Sequence, residues 1–154
     1  MKSVKRAKDF FSAKGCDVAR VPRSLDEMEL VARGFGDWRL HMALARASFS
    51  GPPLRSEAYA AGQLDAQLAD QTARFLKDPV RGLRVDGKRL RLSQLFKWKR
   101  ADLPTSGGAS AALRADTLLP ILLPYLDPAV GDGIVTLQPS ITYLDYDWNL
   151  NGRT

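Results

Sequence analysis

The stretch DWRLHMALARASFSGPPL, Asp37 to Leu54, decides how this chain is read, because it joins an apolar pattern to a polar loop closed by two prolines. It also holds the only histidine, His41. From Trp38 onward apolar residues alternate: Trp38, Leu40, Met42 and Leu44 share one face of an extended segment, and Arg39, His41, Ala43 and Ala45 share the other. This pattern predicts a strand covered on one side and, given the alanines beside His41, partly covered on the second. Gly51-Pro52-Pro53 ends it, since consecutive prolines remove backbone donors and restrict the preceding residue. Serines are the only candidate nucleophiles here, with no cysteine in the stretch and no carboxylate after Asp37.

Upstream, residues 3–14 place Val4, Ala7, Phe10 and Phe11 on one helical face, and Gly15 stops the run, so residues 1–15 are expected to form an N-terminal helix. Ser24 and Glu27 have capping-box spacing ahead of Leu25, Met28, Val31 and Ala32, which predicts a second helix over about residues 25–33. Downstream, Leu64, Leu68, Phe75 and Leu76 keep helical spacing over 62–77, and Asp78-Pro79 closes that helix. Asp86-Gly87-Lys88 lies between Leu83, Val85 and Leu90, Leu92, a strong hairpin signal. Ser93 is placed to cap a helical turn carrying Leu95, Phe96 and Trp98. After a Gly/Ser loop from Thr105 to Ser110, residues 111–125 read as a buried helix that Pro120 kinks or interrupts. Ile134 to Leu137 and Ile141 to Tyr146 read as strands, and 147–154 as a partly frayed tail.

A chain of 154 residues with 45% apolar content can bury one sizeable core. The expectation is a single domain over 1–154, of the α+β class, with short helices around a small, mostly antiparallel sheet. One cysteine, Cys16, excludes an internal disulfide and a multi-thiolate zinc site. No segment reaches the roughly 20 apolar residues of a membrane span, so no membrane span is expected. As written the chain reads as cytoplasmic, with a signal in a longer upstream reading frame as the alternative. The net charge of +6 is compatible with an anionic partner without selecting one.

Six segments, in order, carry a resemblance: SLDEMEL at 24–30, DWRLHMALARAS at 37–48, GPPL at 51–54, EAYAAGQLDAQL at 57–68, LSQLFKWKRADL at 92–103 and YLDYDWNLN at 143–151. Together they resemble a bacterial and plant family, domain of unknown function family 547. The resemblance implies that the chain is the C-terminal part of a longer, N-terminally incomplete domain, because the family's upstream Asn-x-Tyr-Asn-type segment would precede Met1. A protein partner would then cover the exposed face that such a truncation leaves. Around the opening stretch the family pattern resembles RIHFALNCAS-x-SCPPL, whose two cysteines fall at Arg46 and Gly51. The family also resembles papain-like or transglutaminase-like folds, which implies cysteine chemistry on amide bonds. With both thiols replaced, the leading expectation is a catalytically degenerate pseudoenzyme that acts as a binding or remnant domain.

Two alternatives stand beside it. A serine-dependent hydrolase would use Ser48 or Ser50 as nucleophile and His41 as base, although residues seven apart on a strand lie over about 20 Å from each other and on opposite faces. An anion or nucleic-acid binder would use the basic run from Arg84 to Arg100, in which Arg84, Arg89 and Arg91 share the hairpin face opposite Leu83, Val85, Leu90 and Leu92, with Trp98 as a stacking surface. Arg46, now where a family thiol would stand, is a further candidate binding residue, as are Asp147 and Asn149, which alternate along one extended segment and could hold a cation or an amine. Lone His41 and the scattered carboxylates have no metal-ligand spacing, so no metal and no cofactor is expected.

Overall fold

The computed structural model describes residues 16–18, 21–23, 34–104 and 114–151. The expected helices over 1–15 and 25–33 and the Thr105 to Ser110 loop lie outside the described residues. Strands β1 (Cys16–Val18) and β2 (Val21–Arg23) form an antiparallel pair. Then come helices α1 (Leu40–Ala43) and α2 (Leu64–Lys77), strands β3 (Leu83–Asp86) and β4 (Arg89–Leu92), helices α3 (Gln94–Trp98), α4 (Ala115–Leu122) and α5 (Pro128–Leu137), and strand β5 (Ser140–Tyr143). The fold is α+β, with five helices among the described residues and a three-stranded sheet in the order β3-β4-β5.

The hairpin forms where Asp86-Gly87 placed it. Gly87 takes the turn's positive φ of 55°, which glycine adopts without a steric penalty. Its register pairs Arg84 with Arg91 and Asp86 with Arg89. β5 joins β4 in parallel, pairing Arg89 with Ser140 and Arg91 with Thr142, so the sheet is mixed. A parallel neighbour requires a long crossover, here through α3, α4 and α5.

One face of this sheet packs into the core. Leu90 and Leu92 meet Phe75 and Leu76 of α2, Leu95 and Phe96 of α3, Leu118 and Leu122 of α4, and Ile134 of α5, all essentially buried. Ser93 accepts a hydrogen bond from the Leu95 N–H at 3.4 Å and starts α3 as expected. Gly82 is required at the α2 to β3 turn, because a Cβ there would sit 1.8 Å from the Phe75 carbonyl oxygen. α4 runs through Pro120 with Leu118 and Leu122 inward, then tightens into a 3-10 turn at Leu123–Tyr125.

Two expected strands are helical. Residues 38–45 contain α1 because Trp38 and Met42, four apart, satisfy a helical period as well as an alternating one; both are buried. The Asp37 carboxylate fixes this turn by accepting the Arg39 backbone N–H at 3.0 Å and the Arg39 guanidinium at 2.7 Å. Residues 134–137 close α5, which starts at Pro128 after the Asp127 carboxylate caps the Ala129 N–H at 3.1 Å. A short apolar run such as Ile134 to Leu137 carries no period that separates strand from helix, and the Asp127-Pro128 cap upstream decides it.

Candidate functional site

Once α1 turns and the chain reverses through residues 44–51, the polar side chains of the opening stretch point into the protein. His41 is 2% exposed, and its Nε2 lies 2.9 Å from Asp102 Oδ2, at the end of the 3-10 turn Arg100–Asp102. Its Nδ1 is buried as well. Ser48 is fully buried, with its Oγ 2.8 Å from the Tyr146 hydroxyl. Ser50 is 4% exposed, and its Oγ accepts the Asp147 backbone N–H at 2.9 Å. The three candidate catalytic groups therefore sit on internal hydrogen bonds, and the imidazole and the two hydroxyls have different partners.

The partners of the two serines belong to the segment after β5, which is laced to residues 47–51. The Phe49 N–H donates to the Asn149 carbonyl at 2.8 Å, the Ser50 N–H to the Asp147 carbonyl at 3.2 Å, and the Asn151 N–H to the Ala47 carbonyl at 3.0 Å. Asp147 and Asn149, expected to project together, bond each other locally: the Asp147 carboxylate accepts the Asn149 N–H at 2.8 Å. Trp148 stacks on Trp98 with ring centroids 5.5 Å apart and planes at 22°. Tyr146 lies against both rings, at 4.8 Å from Trp98 and 4.5 Å from Trp148. Residues 145–151 thus form a strap pinned by aromatic stacking at one point and by buried serines at another.

Arg46 is buried in the same turn, so its guanidinium is not offered to solvent. Gly51 faces it closely: a Cβ at Gly51 would lie 3.3 Å from the Arg46 Cβ and 2.8 Å from the Ser48 Oγ. Positions 46 and 51 are therefore neighbours in space.

The hairpin register gathers Arg84, Arg89 and Arg91 on the sheet face away from the core, together with Asp86, Ser140 and Thr142. Asp86 takes Arg84 at 3.0 Å and Arg91 at 3.6 Å, whereas Arg89 has no ion pair among the described residues. Beside it opens a cavity of about 380 Å³ lined by Lys88, Arg89, Arg91, Asp86, Thr142 and Tyr143. The Thr142 hydroxyl is buried there without a hydrogen-bond partner. Trp98 is not part of this surface. Sequence reasoning identified the arginines but missed Thr142, which only the parallel register brings beside Arg91. It also missed Asp102 and Tyr146, 61 and 98 residues from the side chains they hold.

Among the described residues no three His, Cys, Asp or Glu side chains lie close enough to share a metal ion. No described helix is long and apolar enough to cross a membrane. Two acids are held ionised by arginine. Arg39 hydrogen bonds hold the Asp37 carboxyl below the usual carboxylate range, and Arg55, at 2.5 Å, does the same for Asp70. No curated protein and no solved structure matches the chain. A family profile does match, over residues 5–76, and its description is "Protein of unknown function, DUF547". The matched stretch includes His41, Ser48 and Ser50 and stops before Asp102 and Tyr146. The match covers residues 5–76, somewhat under half of the chain, and is consistent with a DUF547 domain.

Proposed function

We propose that this chain is a non-catalytic domain that binds an anionic ligand on the outer face of its three-stranded sheet. The observation that carries the reading is the cavity lined by Lys88, Arg89, Arg91, Thr142 and Tyr143, in which Asp86 is the only lining acid. Arginine adds a planar donor fork suited to phosphate or carboxylate.

The absence of catalysis rests on the commitments of the reactive groups. Ser48 and Ser50 hold the strap, and His41 is buried against Asp102. A base or nucleophile acting on a substrate needs its polar atom within hydrogen-bond reach of that substrate. On this reading the domain is a degenerate relative of cysteine hydrolases, with Arg46 and Gly51 where thiols would stand. Titration calorimetry with tripolyphosphate tests the binding claim: saturable heat that weakens with added salt and vanishes in Arg89→Glu supports it, and identical heats for both proteins overturn it. A fluorophosphonate probe tests the other half, since labelling of Ser48 or Ser50 that depends on His41 contradicts a non-catalytic domain.

A further inference from the structure

Among the described residues no strand pairs with the outer edge of β3, and a groove runs along it. Three consecutive β3 residues, Leu83, Arg84 and Val85, line a groove of about 680 Å³ whose other walls are the end of α2 (Ala73, Leu76, Lys77), the α4 to α5 connection (Tyr125, Leu126) and Val130 of α5. Consecutive strand residues point to opposite faces, so a groove touched by all three follows the strand's edge and not one face. The ladder fixes which backbone groups face it. The carbonyls of Lys88 and Leu92 accept from Ser140 and Leu144, so the even-numbered residues of β4 bond toward β5, and Arg89 and Arg91 bond toward β3. In an antiparallel pair that makes Arg84 and Asp86 the bonded partners and turns the N–H and C=O of Val85 outward. The Leu83 carbonyl turns outward too, while the Leu83 N–H is taken by the Asp78 carbonyl at 3.2 Å.

The rim of the groove is cationic. Arg74, Lys77 and Arg84 surround it against one acid, Asp127, whose carboxylate is committed to capping α5. Arg74 pairs with Asp70 and Arg84 with Asp86, whereas Lys77 makes no ion pair among the described residues. We infer that the β3 edge accepts an extended peptide with alternating apolar and acidic side chains as a fourth strand: its backbone bonds Val85, its apolar side chains enter the groove, and its carboxylates meet the rim. Main-chain bonds supply affinity in such strand addition, and pockets for alternate side chains supply specificity. The site is separate from the Thr142 cavity, so the two stand or fall independently.

The probe is a fluorescein-labelled, N-acetylated Val-Glu-Val-Asp-Val peptide added to the full chain and followed by fluorescence anisotropy. Saturable binding is expected, with at least a tenfold loss when the two acidic residues become lysine and a similar loss when alternate peptide amides are N-methylated. Val85→Pro deletes the outward N–H at a position where an edge strand tolerates proline, and Lys77→Glu reverses the rim. Both are expected to weaken binding tenfold or more. If Val85→Pro fails to fold by circular dichroism, the N-methylated peptide carries the test alone. The inference is overturned if the N-methylated or lysine peptides bind as well as the acidic one, or if none saturates by about 1 mM.

Discussion

Introducing cysteines at positions 46 and 51 together, in a Cys16→Ser background, should give a disulfide that forms in air. An ideal Cβ at Gly51 is 3.3 Å from the Arg46 Cβ, a few tenths of an ångström inside the range of about 3.5–4.5 Å found across disulfides, so a small backbone adjustment is enough. The loop closed spans about six residues, for which chain entropy predicts about 2 kcal/mol of stabilisation relative to the reduced form of the same variant. Comparing oxidised and reduced forms cancels two costs that both carry: loss of the buried Arg46 side chain, and crowding of the Ser48 hydroxyl, which a Cβ at 51 meets at 2.8 Å. Urea unfolding with and without reductant measures the difference, and thiol titration with mass spectrometry establishes the bond. Thiols that stay titratable after air oxidation, or an oxidised form no more stable than the reduced one, would refute the geometric reasoning. A bond that forms would mark this as a place where two thiols staple a turn, and would remove the argument that a nucleophile is missing from it.

Ser48→Ala removes the hydrogen bond to the Tyr146 hydroxyl and should cost about 1–2 kcal/mol in chemical unfolding, with Ser50→Ala in the same range; a change below about 0.5 kcal/mol for both would sink the strap as a stabilising element. Trp148→Ala, which unstacks Trp98 and Tyr146, should cost about 2–3 kcal/mol and quench-expose Trp98 in acrylamide titration, while unchanged quenching would mean the stack does not hold the segment. Because Arg39 holds the Asp37 carboxyl below its unfolded value, this pair stabilises the fold above about pH 4 and loses that contribution as pH falls through the depressed value. Asp37→Asn should therefore lower Tm at pH 7 and flatten its decline toward pH 2. Parallel Tm curves for the two proteins would contradict the assignment.

Where neighbouring residues settle a structure, the sequence could be read directly. The Asp86-Gly87 turn fixes the hairpin and its register, so the shared face of Arg84, Arg89 and Arg91 followed from alternation. Ser93 capped its helix, and the α2 pattern held from Leu64 to Lys77. Short segments were misread where two periods coincide: Trp38 and Met42 suit a strand and a helix equally, and only the Asp37 to Arg39 clasp and burial against the core favour the helix. The candidate site was legible in its residues and not in its partners. His41, Ser48 and Ser50 were plain, but what holds them lies far along the chain, and pairing across such separations leaves no local signal. Thr142 became relevant only because β5 runs parallel to β4, a consequence of the crossover through three helices.

The most direct test of the account follows backbone amides of the isotope-labelled chain by NMR as inorganic phosphate is added. The account predicts saturable shifts concentrated at Lys88, Arg89, Arg91 and Thr142, smaller at higher ionic strength and absent in Arg89→Glu. Shifts that spread evenly over the surface cations without saturating, or that persist unchanged in Arg89→Glu, would contradict it.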